Sequence, residues 1–271
     1  MINVIYIGNY YKIPEMIYHH PQLCLKGIIF ENDKINDELI TFSLVRDIPL
    51  ISIKTSKDII KTIKNTCSAI DFFIMCSFGK RIPMEELETV KIFNIHYSAL
   101  PNYKGRHPTF WATIANEKKI GISLHEVTSK IDEGNIVAQK TVPYYIWMKE
   151  TELFDCLTEK VPLLLDELIS YLKHNTVCLE NTSDFYYPMV KEENYLININ
   201  TDNLTLIYNK VRAQSRYRGA KIIISDKEFW IKNIAYTFLA MQSDYIIKNN
   251  DTLYIKYNDE ICIKTKDFEV S

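Results

Sequence analysis

The chain has 271 residues, 47% of them hydrophobic, which is enough to bury one sizeable core and a smaller second one. With 32 basic and 34 acidic residues and a formal net charge of -2, it has no sequence-wide positive field to hold a phosphate backbone by counterion release, and a nucleic-acid partner is disfavoured. Cys24, Cys67, Cys76, Cys156, Cys178 and Cys262 lie far apart, with no Cys-x-x-Cys pair and no metal-like spacing to a histidine, so they read as free thiols in a reducing compartment rather than as a zinc site or a disulfide framework.

From the N-terminus, Val4 to Ile7 reads as a first strand. No cationic leader precedes it and no apolar run approaches membrane-spanning length, so a cytoplasmic protein is expected. Leu25 to Phe30, Ile70 to Met75 and Ile92 to Ile95 are further short runs rich in Ile, Val and Phe, the pattern of strands covered on both faces. Asp37 to Val45, Lys57 to Asn65 and Thr109 to Glu117 read as connecting helices. The alternation predicts an α/β doubly wound fold with a mostly parallel sheet and ligands at the carboxyl ends of its strands. Gly121 to Val127 and Ile136 to Val142 are strands flanking a loop that carries Asp132, and Glu150 to Lys173 reads as one long amphipathic helix. His174 to Asn200 is polar, aromatic connector, and Leu204 to Ala213 a helix. Lys221 to Ser225, Phe229 to Ile234, Leu253 to Tyr257 and Ile261 to Lys264 are short strands between Asp, Asn and Lys turns. The expected division is a catalytic domain over 1–180 and a smaller β-rich domain over 181–271.

Only 7 glycines occur, and Gly8, Gly79, Gly105, Gly134 and Gly219 all fall in expected turns beside polar residues. The first turn, Gly8-Asn9-Tyr10-Tyr11, lacks the dinucleotide fingerprint, and no P-loop, zincin or nucleophile-elbow motif is present. A serine hydrolase built from Ser98, His96 and Asp132 survives only as a weak option. Asn94 and His96 are two apart, so in a strand both side chains point to one side, where one can donate to an oxyanion while the other handles a proton. Alone, that pair more often marks a satisfied strand end. The Ser98-Ala99-Leu100-Pro101 turn, the Lys104-Gly105-Arg106 cluster and Asp132 downstream reverse the balance toward acyl transfer to an amine. His125, inside a strand, reads as structural, and His19, His20 and His174 carry no motif.

Asn94-Ile95-His96, followed by Ser98-Ala99-Leu100-Pro101 and Lys104-Gly105-Arg106 and then by Ile131-Asp132-Glu133-Gly134-Asn135-Ile136, resembles the signature of formyltransferases that use 10-formyltetrahydrofolate. Ser77-Phe78-Gly79-Lys80-Arg81-Ile82-Pro83 is similar to the family's folate-side turn, and Arg212-Ala213, Tyr217 and Gly219-Ala220 extend the likeness. The resemblance implies catalytic roles for Asn94, His96 and Asp132. It places the pterin against Phe78, Arg81, Ile82 and the loop from Val127 to Asp132. It makes Asn9, Tyr10, Lys80, Ser98, Lys104, Gly105 and Arg106 candidates for the sugar and diphosphate of the acceptor. The co-substrate so implied is 10-formyltetrahydrofolate, with no metal.

About a hundred residues beyond the first domain argue against glycinamide-ribotide formyltransferases, and no dense Lys/Arg cluster follows Asn200 to favour a methionyl-tRNA formyltransferase. His107 and the bulky Phe110-Trp111 depart from the small residues usual after the glycine-arginine turn. With the tyrosine-rich connector, they resemble the nucleotide-sugar N-formyltransferases, especially those acting on dTDP-3-amino-3,6-dideoxyhexoses. That implies a homodimer without nucleic acid or membrane partner, working in lipopolysaccharide or O-antigen biosynthesis. A methionyl-tRNA formyltransferase, a formyltetrahydrofolate hydrolase and a catalytically inactive ligand-binding homologue are the alternatives.

Overall fold

The computed structural model describes residues 1–34, 37–87, 89–174, 178–182, 185–248 and 251–270. In chain order the first elements are β1 (Ile2–Gly8), α1 (Lys12–His19), β2 (Leu23–Glu31), α2 (Asp37–Val45), β3 (Leu50–Ile53), α3 (Ser56–Thr66), β4 (Phe72–Cys76) and β5 (Ile92–His96). They are followed by β6 (Lys104–Gly105), α4 (Pro108–Ile114), β7 (Lys119–Glu126), β8 (Ile136–Pro143), α5 (Glu150–Thr158), α6 (Val161–His174), β9 (Tyr186–Tyr187), α7 (Glu192–Tyr195) and β10 (Leu196–Ile197). The last are α8 (Leu204–Ala213), β11 (Ala220–Ile224), β12 (Lys227–Ile231), β13 (Ala235–Phe238), β14 (Tyr245–Lys248), β15 (Thr252–Lys256), β16 (Ile261–Thr265) and β17 (Phe268–Val270).

Two compact units divide the chain: Met1–Gly105, Gly121–Val142 and Cys156–Tyr186 form the first, and Arg106–Ile120, Pro143–Asp155 and Tyr187–Ser271 the second. The second unit is discontinuous, with two segments, Arg106–Ile120 and Pro143–Asp155, that precede its main stretch from Tyr187. Arg212 of α8 shows why. Its guanidinium donates to the carbonyls of Tyr145 at 3.1 Å and Met148 at 3.3 Å and lies 4.3 Å from the Tyr144 ring centroid. These contacts tie the Pro143–Asp155 segment to the helix.

The first unit is built on a seven-stranded sheet ordered β3-β2-β1-β4-β5-β7-β8, parallel from β3 to β5 and antiparallel between β5 and β7. Alternation along β1 sends Ile5 and Ile7 to one face, where they join Ile29, Phe73, Ile92 and the α3 residues Ile59, Ile60 and Ile63 in one buried cluster. Thr55 starts α3 with a capping box to Asp58. On the opposite face, the Phe93 ring meets Phe72 and Tyr171 of α6 edge-on, at 5.8 and 6.4 Å. Each fully buried large apolar side chain of this kind contributes about 1.5–3 kcal/mol.

The single helix expected over Glu150 to Lys173 is two helices, broken at Glu159 and Lys160. Pro162 has no N–H to donate back to Thr158, so it favours a break there and sits in the first turn of the second helix, where the missing donor costs nothing. Several short elements were not anticipated, among them α1 and β3. α1 follows the first glycine turn directly, and β3 is only four residues long, too short to show a period.

The second unit has two four-stranded sheets, β10-β11-β12-β17 and β13-β16-β15-β14. Ile207 and Val211 of α8 pack with Ile222, Phe229, Ile231, Leu253 and Ile263 in a shared core. The β-rich expectation holds, and β10, β13, β14 and β17 add to the anticipated strands.

Candidate active site

The carboxyl end of β5 and the hairpin loop between β7 and β8 converge on one buried polar cluster. Asn94 and His96 leave β5 on the same side, as their spacing requires. The antiparallel register sets His125 of β7 directly opposite Asn94, so these two also share a face. The loop then returns Asp132 to them, with its carboxylate between two imidazoles. Oδ2 lies 3.5 Å from His96 Nδ1 and Oδ1 lies 3.4 Å from His125 Nε2. All four side chains are buried.

Hydrogen bonding fixes the tautomers. His96 Nε2 is 2.9 Å from the Tyr103 carbonyl, which can only accept, so Nε2 carries a proton and Nδ1 faces Asp132. His125 Nδ1 donates to the Glu126 carbonyl at 2.8 Å, and its Nε2 is 3.0 Å from Asn94 Nδ2. When His125 is neutral, Asn94 donates one amide hydrogen to it and keeps the second for a ligand. Burial lowers the His96 pKa, and His125 lowers it further against the opposing pull of Asp132, so the ring rests neutral near pH 7. A proton arriving at Nδ1 meets a carboxylate at once. His96 is therefore a proton acceptor whose charged form Asp132 stabilises.

Burial tends to raise the Asp132 pKa, but in the acidic range where a carboxylate titrates both imidazoles are protonated, and the charge of His96, the hydrogen bond and charge of His125, and the Gly105 N–H at 2.8 Å outweigh it. The carboxyl therefore lies well below the usual range. It binds its proton more weakly in the native state than in the unfolded chain, so its contribution to stability is present above about pH 3.9 and is lost as pH falls further. Urea midpoints measured down to about pH 3 should consequently drop less steeply for Asp132→Asn than for wild type.

The remaining candidates divide. Phe78, Ile82 and Val127 pack on the sheet's apolar cluster, and Arg81 links the loops after β4 and β7 by donating to the Ser129 carbonyl at 3.1 Å. The apolar wall with an exposed loop edge over Thr128 to Lys130 fits a flat, hydrogen-bonding heteroaromatic ring. Gly105, with φ 101°, turns its N–H onto Asp132.

Ser98 faces inward instead of toward a substrate. It is fully buried, and its Oγ donates to the Asn102 carbonyl at 2.7 Å, which closes the turn and removes the serine-nucleophile option. Asn9 and Lys80 are engaged by Glu31, a buried carboxylate at the end of β2. Glu31 accepts from Asn9 Nδ2 at 2.9 Å and Gly79 N–H at 2.7 Å and pairs with Lys80 at 3.4 Å. This cluster occupies the β1/β4 switch point, while Asn94 and His96 sit one strand further along, on β5. Lys104 is buried, with Nζ on the Asn181 carbonyl at 3.2 Å. Tyr10 hydrogen-bonds through its backbone to the Tyr6 hydroxyl, and Arg106 is exposed in the second unit.

Three contributors were missed from the sequence. His125, expected to be structural, touches both Asn94 and Asp132. Ser123 and Gln139 hold the Ser98–Pro101 turn. Ser123 donates to the Ser98 carbonyl at 2.7 Å, and Gln139 donates to the Leu100 carbonyl at 2.8 Å.

Residues 52–161 match the family model described as Formyl transferase. The chain is 27% identical over 228 residues to the methionyl-tRNA formyltransferase of Malacoplasma penetrans, covering 78% of this chain and 67% of that protein. Several other methionyl-tRNA formyltransferases match at similar identity, and the chain spans about half of their length. Among solved structures, it resembles the N-formyltransferase from Helicobacter canadensis in complex with folinic acid and dTDP-3-aminofucose. The TM-score is 0.69 at 18% identity, covering 98% of this chain and 100% of that one. It also resembles WlaRD, a sugar 3N-formyl transferase solved with dTDP and 5-N-formyl-THF, with TM-score 0.68 at 21% identity and 98% coverage of both chains. The likeness in sequence to that family is thus carried by residues 52–161, and the likeness of fold extends over nearly the whole chain. Among the described residues, no helix is long and apolar enough to cross a membrane, and no group of three or more His, Cys, Asp or Glu could hold a metal ion.

Proposed function

We propose that the protein transfers a formyl group from 10-formyltetrahydrofolate to the amine of a nucleotide-linked amino sugar, a dTDP-3-amino-3,6-dideoxyhexose being the favoured acceptor. The observation that carries this reading is the convergence of Asn94, His96, His125 and Asp132 around one buried carboxylate. When an amine attacks a formyl carbon, negative charge develops on the formyl oxygen and a proton must leave nitrogen. The second amide hydrogen of Asn94 is placed to meet that charge. His96, neutral at rest, takes the proton at Nδ1, and Asp132 stabilises the imidazolium that results. The pterin end of the donor lies along Arg81, Ile82 and the loop from Val127 to Asp132.

The sugar-nucleotide acceptor is supported by likeness of fold across nearly the whole chain to a sugar 3N-formyl transferase and to an N-formyltransferase solved with dTDP-3-aminofucose. The sequence relatives favour a second reading, formylation of methionyl-tRNA. Against it stands the second unit's close balance of basic and acidic residues, which gives little field for a phosphate backbone. A mass-spectrometric screen separates the two. The protein is incubated with 10-formyltetrahydrofolate and, in parallel, with dTDP- and UDP-linked amino sugars, charged methionyl-tRNA, and water alone. The expected result is a dTDP-amino sugar heavier by one formyl group. Formylated methionyl-tRNA, or donor consumption independent of any amine, would contradict it. The same reading carries a homodimer, which sedimentation of the purified protein would test.

A further inference from the structure

Asp132 holds its carboxylate between the two imidazoles from a left-handed backbone, φ 54°, that L residues rarely adopt. Aspartate tolerates that region in turns, and a contact from outside the loop fixes it further. Asn181, in the stretch that follows α6, does so through its side-chain amide. Nδ2 donates to the Asp132 carbonyl at 2.7 Å and to the Gly134 carbonyl at 3.1 Å, on either side of Glu133.

The segment carrying Asn181 is itself anchored. Leu179 forms an antiparallel bridge with Ile136 at the start of β8, with N–H···O distances of 3.0 and 3.1 Å. The buried Lys104 donates Nζ to the Asn181 carbonyl at 3.2 Å. Next to Lys104, Gly105 donates its N–H to Asp132 Oδ2 at 2.8 Å. The contacts therefore close into a ring, in which Asn181 grips the backbone of the Asp132 loop while Gly105 grips its carboxylate.

We propose that Asn181 is a positioning residue for the reaction: by holding the Asp132 and Gly134 carbonyls, it keeps the Asp132 carboxylate within reach of His96 and His125. An ordinary turn-stabilising role is the competing account. It is weakened by Asn181 Oδ1, which is buried without a hydrogen-bond partner. An unpaired buried acceptor costs free energy comparable to what a hydrogen bond contributes, so the residue adds little net stability. Its effect is concentrated at the aspartate. Asp132 is faced by His96 from β5, His125 from β7 and the Gly105 N–H from β6, with Lys104 beyond Asn181.

The consequence for turnover rests on the formyl-transfer reading, but the geometry can be tested without it. Histidine side-chain NMR titrations of the full chain compare wild type with Asn181→Ala, Asn181→Leu and Asp132→Asn. Asn181→Leu is close in size but has no N–H for the two carbonyls and adds no charge. Both Asn181 variants should fold and should move the His96 titration to lower pH, the direction in which Asp132→Asn moves it, because the carboxylate that supports the imidazolium has been released. In kinetics, kcat should fall roughly 10- to 100-fold with KM for the formyl donor nearly unchanged. Titrations indistinguishable from wild type in the folded variants would overturn the proposal, as would failure of both to fold, since that would make Asn181 a general stability residue. A wild-type protein without formyl transfer would sink the functional reading alone and leave the titrations to decide the role of Asn181.

Discussion

Replacing Asp132 with asparagine should lower kcat for formyl transfer by on the order of 10²–10⁴-fold while leaving donor binding measurable. An asparagine fills the same space and can still accept the Gly105 N–H, so the loop keeps its anchor. The negative charge beside the two imidazoles is what disappears. His96 is already held neutral by burial, and without the carboxylate at 3.5 Å its Nδ1 becomes a poorer proton acceptor still. The loss should therefore fall on the chemical step. Single-turnover kinetics beside calorimetry of donor binding separate the two effects. Turnover within about threefold of wild type would show that Asp132 has no part in proton transfer.

The second large effect belongs to Gly134. A Cβ built there would lie 1.9 Å from the Glu126 carbonyl oxygen and 2.7 Å from its carbon, both backbone atoms at the end of β7 that cannot swing aside. Gly134→Ala must therefore push the loop away from the strand, and with it Asp132, two residues earlier. Overpacking of this kind costs about 1–3 kcal/mol, and a displacement near 1 Å at a catalytic group lowers rate by on the order of 10²-fold. Both losses should appear together, as a lower urea midpoint and a lower kcat. A variant with wild-type stability and rate would mean that the loop and strand are not as close as the geometry requires.

How much of this was legible depended on whether a contact is encoded locally. Asn94 and His96 could be paired from sequence because a strand's two-residue period puts both on one side whatever the rest of the fold does. Asp132 was legible as a turn acid after a strand, and the order of its neighbours carried the family likeness. His125 was not. Its place opposite Asn94 comes from the register of β5 against β7, a pairing of residues 31 apart that nothing near either position specifies. Asn181 was hidden for the same reason, since its partners lie 49 and 47 residues away. Asn9 and Lys80 illustrate the converse error. A polar side chain near a glycine turn suggests an open ligand contact, but the buried Glu31 that engages both comes from another strand. The α/β architecture was more robust, because apolar runs alternating with amphipathic stretches leave few alternatives. Only elements too short or too close to a turn to show a period, such as β3 and α1, escaped that pattern.

The central claim is that this carboxylate-centred cluster moves a formyl group from folate to an amino-sugar nitrogen. Its most direct test is a stoichiometric one, in which purified protein, 10-formyltetrahydrofolate and a dTDP-3-amino-3,6-dideoxyhexose are followed together by mass spectrometry and by absorbance of the released tetrahydrofolate. The account predicts one N-formylated sugar for each tetrahydrofolate formed, with both products lost together in Asp132→Asn. Tetrahydrofolate released with free formate and an unmodified sugar, at a rate unaffected by the amine, would contradict it.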